Sequence, residues 1–533
     1  MGVFMSKKIF LIELSPSTPS LGKSIVMPRS GILTIASILS NIPDYDVTFL
    51  FEPYVGKIDL GRIVSEQPDY ILLNGLTTSV VENSTFASIL REKSRKPFSI
   101  IVGGEHATMF PDHAKSYADY VVLYEGDETV VALLAALEEN DQIKRDRKLS
   151  KIPGLVYKDS GSSWHQSDTV KRVKTIDYQY DFHILPGARD SVSSFRLMQL
   201  PLQTSRGCLY NCSFCSWISL FGKGGFYVRP IEDVLYDIEH AMGYTGIQNF
   251  MVVDNLFAGN PDYAKELLSR IAATFENRPK KPSFTVLCRA DQFSGGDCVL
   301  PEKFMKLMKK AGVTHVSLGL ESVNQATLNE MRKRSNISLY EAAAARLHQY
   351  ELNIAATFVT GHGKETYRDV LNIAHFAKAI NCFTIQVYCY AMTPKTSDAK
   401  RFFYLKIPGV PERFCNGHSV ITFPRQMLPS HLQKAVFDTA MIFYDGKAPQ
   451  KRLIARVYRY IWKAIEPYYD TLKRIESEIL LPEGIYISNG HNNYVLHEEK
   501  LQMLTEDHER YMDFSKKIEN LFDTIRWPMT TST

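Results

Sequence analysis

From Leu202 to Tyr388 the chain alternates strand-length apolar runs with helix-length amphipathic segments, and that alternation restricts the fold more than any other feature. The runs are Leu202–Thr204, Ile247–Val253, Ser283–Leu287, Thr314–Leu318, Ile354–Val359 and Phe383–Tyr388. Helical patterns fall between them, at Ile231–Met242, Asp262–Phe275, Pro301–Ala311, Leu339–Tyr350 and Tyr367–Ala379. Strands joined by helices that cross back over a sheet lie parallel. Six such strands predict a partial (β/α)6 TIM-like barrel over 201–400, with its active site at the carboxyl ends of the strands.

The first 140 residues alternate as well, with strand candidates Ile9–Leu14, Val47–Phe51, Tyr70–Asn74, Phe98–Val102 and Tyr120–Leu123. This predicts an α/β, doubly wound parallel sheet of the Rossmann-like kind over 1–140. Gly75, Gly103, Gly104 and Gly126 sit where these strands end. At those places backbone approaches a ligand closely. Residues 141–200 carry the basic run Lys144–Lys151 and the Gly-Ser segment Asp159–Ser163, and read as a linker around a small hairpin. Beyond residue 400, patterns such as Leu432–Tyr444 and Arg452–Ile475 predict a helical carboxyl-terminal domain over 401–533.

Composition narrows the function. With 62 basic and 58 acidic residues the net charge is +4, which gives no electrostatic reason to expect a nucleic-acid partner. No apolar run reaches the roughly 18 to 20 residues of a transmembrane segment, and no secretion-signal layout is present. The eight cysteines then suit a reducing, cytoplasmic setting in which thiols serve as metal ligands.

Three of them are grouped in Arg206-Gly207-Cys208-Leu209-Tyr210-Asn211-Cys212-Ser213-Phe214-Cys215, just after the first barrel strand. A cubane iron–sulfur cluster usually takes four thiolates. Three leave one iron open to an amino acid that offers both amine and carboxylate. A structural zinc site would want a fourth ligand, and none is spaced nearby. The remaining reading is three buried thiols. Cys288, Cys298, Cys382, Cys389 and Cys415 show no ligand spacing and read mostly as core.

The Cys-x3-Cys-x-aromatic-Cys pattern, with Phe214 as the aromatic, resembles the motif of the radical S-adenosylmethionine (SAM) superfamily. The resemblance implies a 4Fe–4S cluster on Cys208, Cys212 and Cys215, SAM at the open iron, and a 5′-deoxyadenosyl radical made by reductive cleavage. It implies an electron donor such as flavodoxin or ferredoxin. It also implies SAM contacts at the strand ends: Asp254 in Asp254-Asn255-Leu256-Phe257, and Glu321 and Ser322 in Gly319-Leu320-Glu321-Ser322. Gly361-His362-Gly363-Lys364-Glu365-Thr366 resembles the family's Gly-x-Pro-Gly-Glu-Thr with the proline missing. Capping and turn roles are the alternatives for these residues. Arg289 and Asp291 fit either a SAM contact or a buried ion pair.

The amino-terminal region is similar to the cobalamin-binding domain that precedes the barrel in one branch of that superfamily. The similarity rests on the segments Pro68–Leu76, Val102–Thr108, Tyr124–Glu128, Ile152–Leu155 and Leu185–Asp190. It implies cobalamin, with Thr77, Thr78 and Ser79 beside its lower face, Gly103 and Gly104 letting its nucleotide tail pass close to backbone, and Glu105, Glu125 and Gly126 as further cofactor-binding residues. The loop Ser15–Gly31 holds no histidine to serve as the lower cobalt ligand. A domain that keeps the fold without the corrin is the alternative. The implied function is methylation of an unactivated carbon in a small-molecule, lipid or peptide substrate, through the radical and methylcobalamin, with no protein nucleophile. Radical cyclisation, rearrangement or oxidation, with or without cobalamin, is the first alternative, and a non-catalytic cobalamin or cluster sensor the second.

Overall fold

The computed structural model describes residues 6–18, 25–167, 173, 176–189, 197–221, 225–294, 299–490 and 493–524. Its first sheet has five parallel strands: β1 (Lys7–Glu13), β2 (Tyr45–Phe51), β3 (Tyr70–Asn74), β4 (Ser99–Gly103) and β5 (Tyr120–Val122). Each strand sends alternate side chains to opposite faces. Ile9, Leu11, Leu72 and Ile101 pack on one face with α1 (Ser30–Ser40), through Leu33 and Leu39. Phe10, Ile12, Ile71 and Ile100 pack on the other with α2 (Val80–Lys93), through Phe86 and Leu90. A further helix, α3 (Asp127–Leu137), joins the first face.

The spatial order β2-β1-β3-β4-β5 reverses direction between β1 and β3. Such a switch point opens a crevice at the carboxyl ends of the strands. The segment read as a linker supplies two more strands to this sheet. β6 (Leu155–Lys158) and β7 (Trp164–Gln166) form an antiparallel hairpin that pairs with β5.

The second sheet is wholly parallel and runs in chain order: β8 (Leu200–Leu202), β9 (Asn249–Val252), β10 (Ser283–Cys288), β11 (Val313–Glu321), β12 (Asn353–Thr360) and β13 (Thr384–Cys389). One side chain set, including Val286, Leu318, Ile354, Phe358 and Val387, is fully buried in the core. The alternating set includes Thr285, Ser317, Thr357 and Gln386 and is only half-buried. A closed barrel fills its interior with bulky apolar layers. Here the corresponding positions are polar and half-buried instead.

Beyond the barrel, α4 (Pro429–Tyr444) packs on β13 rather than standing apart. The Tyr444 hydroxyl accepts from the Ile385 N–H at 2.9 Å and donates to the Ile385 carbonyl at 2.7 Å. It thereby satisfies backbone groups along the free edge of the sheet, which would otherwise invite further strand pairing. The helical content continues in α5 (Pro449–Ile475) and α6 (His508–Asp523), with a small hairpin at Tyr486–Ser488 and Tyr494–Leu496 between them. No helix among the described residues is long and apolar enough to cross a membrane.

Candidate functional site

The three-cysteine loop leaves a short antiparallel ribbon, Ser205–Gly207 against Phe226–Val228. Gly207 has φ +117°, and a Cβ there would lie 1.9 Å from the Gly225 carbonyl oxygen. Only glycine fits, so the residue before Cys208 is dictated by backbone contact. Halfway along the loop, Ser213 is held from both sides. Its N–H donates to Met331 O at 3.0 Å, while its hydroxyl lies 3.1 Å from Asp398 Oδ2. The Asp398 N–H returns a bond to Ser213 O at 3.3 Å.

Burial pushes the Cys208 and Cys215 thiols up, against backbone N–H donors that pull them down. Metal binding to such thiols therefore releases protons. Among the described residues, one trio of His, Cys, Asp or Glu donors lies wholly within 4.8 Å, namely Asp181, His183 and His240. The three cysteine sulfurs do not all lie within that distance of one another. A single zinc, with Zn–S of about 2.3 Å, holds its sulfurs within about 4.6 Å of one another.

Arg289 guards this loop. Its guanidinium stacks 3.6 Å from the Tyr210 ring centroid and reaches Cys212 Sγ at 3.8 Å. Asp291 grips it at 3.0 to 3.1 Å and the Lys333 carbonyl at 2.5 Å. The sequence left an ion pair and a site contact open for Arg289. The structure makes the ion pair and sets its cation against the cysteine loop.

The other strand-end residues are already engaged. Asp254 is buried, and its carboxylate accepts from Thr204 N–H at 2.7 Å, Thr204 Oγ1 at 2.5 Å and Ser205 Oγ at 2.6 Å. It ties the end of β9 to the start of the ribbon. Burial raises its pKa and these donors lower it. Glu321, at φ +66°, accepts from Lys333 Nζ at 2.7 Å. Ser322 donates to Glu365 Oε1 at 3.2 Å, and Glu365 Oε2 takes the Gly361 N–H at 2.8 Å. Phe214 is half-buried within the loop.

At the switch point of the first sheet lies a cavity of about 270 Å³, lined by Asn74, Gly103, Gly104, Glu125 and Gly126 and, from the barrel side, Arg206 and Trp217. The glycines there are dictated by close backbone packing. A Cβ on Gly75 would meet Gly103 O at 2.8 Å, and one on Gly104, at φ +111°, would meet Gly75 O at 3.1 Å. A narrow, glycine-walled cavity at such a point fits the nucleotide tail of a large cofactor. Thr77, Thr78, Ser79 and Glu105 do not line it. Thr77 Oγ1 instead lies 3.1 Å from His106 Nδ1, and Glu105 is exposed. His106 is buried, contacts His113 at 3.2 Å, and is pushed down to about 4 by burial and then by His113.

The two halves meet at Arg206. It donates to Asp127 Oδ1 at 2.7 Å and Oδ2 at 3.0 Å, and approaches Glu125 at 3.5 Å. Arg206 and Asp127 both lie inside sequence motifs, yet no local pattern in the sequence assigns either a role. Lys333 and Asp398 were missed outright. A lysine inside Met331-Arg332-Lys333-Arg334 reads as surface, and only the fold brings Asp398 to Ser213. Cys298 lies outside the described residues.

Arg206 lines the first-sheet cavity and stands two residues before Cys208, so the cysteine loop and that cavity adjoin. Residues 202–377 match the model of the radical SAM superfamily. The chain is 25% identical over 387 residues to an uncharacterized methyltransferase of Pyrococcus horikoshii, covering 70% of this chain and 79% of that protein. It is 26% identical over 380 residues to the anaerobic magnesium-protoporphyrin IX monomethyl ester cyclase of a Synechocystis strain, covering 68% and 70%. Its fold is also that of the cobalamin-dependent SAM radical enzyme OxsB, solved with aqua-cobalamin and SAM bound. The TM-score is 0.63 at 16% identity, over 98% of this chain and 82% of OxsB.

Proposed function

We propose that the chain is a cobalamin-dependent radical SAM methyltransferase that adds a methyl group to an unactivated carbon. The observation that carries this reading is the placement of Arg206 and Trp217 in the wall of the first-sheet cavity, next to the cysteine loop. A corrin seated there and a cluster on Cys208, Cys212 and Cys215 would share one mouth. When bound, the cluster and SAM supply the radical that removes a substrate hydrogen, and the corrin supplies the methyl carrier.

The chain's own part is placement. Gly103, Gly104 and Gly126 let backbone approach a nucleotide tail, while Arg206 and Asp127 fix the spacing of the two cofactor sites. Arg289 sets a fixed positive charge beside the thiolate set, and its contact with Asp291 keeps it there. Glu321, Ser322 and Asp254 stand at the strand ends facing SAM's polar groups in this reading, and Lys333 orients Glu321.

A second reading is radical ring closure, favoured by the likeness to the magnesium-protoporphyrin cyclase. That relative also makes cyclic tetrapyrroles the first substrates to screen, ahead of lipids and peptides. The test is anaerobic reconstitution with iron, sulfide and hydroxocobalamin, followed by iron and corrin quantification and product analysis. Methylation yields S-adenosylhomocysteine together with 5′-deoxyadenosine. One corrin per chain with both products supports the proposal. Deoxyadenosine alone, with no retained corrin, moves the reading to corrin-free radical chemistry. A protein that binds no iron, with Cys212→Ala indistinguishable from the wild type, defeats both.

A further inference from the structure

The reductive chemistry proposed above consumes an electron at each SAM cleavage, so the cysteine loop needs an approach for an external donor. The outer flanks of that loop are basic. Ser213 is held on one side by the carbonyl oxygens of Glu330 and Met331 and on the other by Ser397 and Asp398. The short helix Ser397–Arg401 that begins there carries Lys400 and Arg401 outward, and both are exposed. Lys364, also exposed, comes from the loop after β12.

These side chains line two adjoining recesses, of about 290 and about 490 Å³, that share Glu330, Lys364, Arg401 and Arg425. The carboxylates present are already committed, Glu330 also lying 3.9 Å from Arg401. Glu330 accepts from Arg425 at 2.8 Å, and Glu498 accepts from Tyr404 at 2.9 Å. Among the described residues neither Lys364 nor Lys400 has an ion-pair partner. Phe403, 50% exposed, adds an apolar contact at the rim of the second recess. With Arg425 buried and paired to Glu330 and Glu498, the exposed charges left at this recess are those of Lys364, Lys400 and Arg401, all basic. Weak electron-transfer encounters use small interfaces steered by complementary charge.

We infer that this recess is the docking surface of an acidic one-electron carrier protein; the inference rests on the cluster reading above. In the encounter one electron leaves the carrier's reduced flavin or iron–sulfur centre, which is oxidised by one electron. The cluster is reduced by one, and no bond is made or broken. Lys364, Lys400 and Arg401 steer the approach, and Phe403 gives it a small dry contact.

The experiment is anaerobic stopped-flow reduction of the reconstituted holoenzyme, followed by cluster bleaching, with reduced flavodoxin and reduced plant-type ferredoxin as probes. Photoreduced 5-deazariboflavin serves as an uncharged reductant. The triple variant Lys364→Glu/Lys400→Glu/Arg401→Glu is compared with the wild type and with the milder Gln triple. The expected result is a loss of roughly tenfold or more in the second-order rate with at least one carrier at low salt, and a smaller loss in the Gln triple. The wild-type rate falls as salt rises, and the deazariboflavin rate is the same in all three proteins. Equal carrier rates in wild type and variants, no salt dependence, or no reduction of the wild type by either carrier overturns the inference. Failure of deazariboflavin to bleach any of the proteins would instead count against the cluster itself.

Discussion

Arg206 and Asp127 form a two-point ion pair, at 2.7 and 3.0 Å, between the ribbon that leads into the cysteine loop and the first turn of α3. Their side chains are 9% and 13% exposed, so neither charge is well solvated alone. A buried pair is weak evidence for net stability, but removing one partner strands the other. Asp127→Ala is therefore expected to cost on the order of 3 kcal/mol. Glu125, 3.5 Å from Arg206, will soften that loss. In the proposed reading the pair sets the distance between the two cofactor sites, so corrin retained per chain should fall more than iron does. Chemical denaturation and cofactor quantification on one preparation check both. An equal fall in iron and corrin would mean that the pair only holds the fold together.

Gly207 makes a sharper test of the cysteine loop. An alanine there would have to place its Cβ 1.9 Å from Gly225 O while holding φ +117°. The ribbon must open, and Cys208 moves with it. Gly207→Ala should reduce bound iron to less than half of wild type with all three cysteines intact. Gly246, at φ +76° with nothing within 4 Å of its Cβ position, is the control. Gly246→Ala is expected to cost only about 1 kcal/mol and to leave iron unchanged.

Much of this architecture was legible because its strands are apolar runs bounded by turn residues. Tyr70–Asn74 was read to the residue, and the six barrel strands were found within two or three positions of their observed ends. Local periodicity reports which residues are buried; it does not report which element buries them. For that reason the hairpin Leu155–Gln166 read as a linker although it extends the first sheet. The helix Pro429–Tyr444 likewise read as a separate unit although it covers the edge of β13. The cysteine trio was legible because its ligands lie within eight consecutive positions. Its supports, Arg289, Lys333, Met331 and Asp398, come from three separate segments that follow different barrel strands, and they share no local pattern.

Asp398 is the most consequential of those supports. It is buried, accepts from His362 Nε2 at 2.7 Å, and holds the Ser213 hydroxyl at 3.1 Å. His362 occupies the Gly-x-Pro-Gly-Glu-Thr-like segment, next to the position where the family pattern has proline, and its ring is wholly buried. Asp398→Ala would leave the imidazole without its acceptor and the Ser213 hydroxyl with only the Glu330 carbonyl, at 3.3 Å. A destabilisation of about 2 to 4 kcal/mol is expected. Asp398→Asn keeps an acceptor oxygen and should recover most of the bound iron, and the electron paramagnetic resonance line shape of the reduced cluster should separate the two. Identical iron content and line shape in Asp398→Ala and wild type would show that Ser213 needs no such brace.

Two buried carboxyls predict how stability varies with pH. Glu13, at the end of β1, and Glu476, which accepts from Ser430 N–H at 2.6 Å and Ser430 Oγ at 2.7 Å, are both raised from 4.5 to about 7. Burial is the main cause in each, opposed for Glu13 by Arg29 and for Glu476 by Ser430. Between about 4.5 and 7 the folded chain holds these protons while the unfolded chain releases them. Stability therefore falls as pH rises through that window and levels off above it, the reverse of the usual carboxylate behaviour. Each group should contribute on the order of 3 kcal/mol of that fall. Glu476→Gln removes one titration while keeping an acceptor for Ser430. Its urea midpoint should be less sensitive to pH between 5 and 7 than that of the wild type, and higher at pH 8. A variant whose pH profile runs parallel to the wild type would place the Glu476 proton elsewhere and leave Glu13 as the source of any remaining slope.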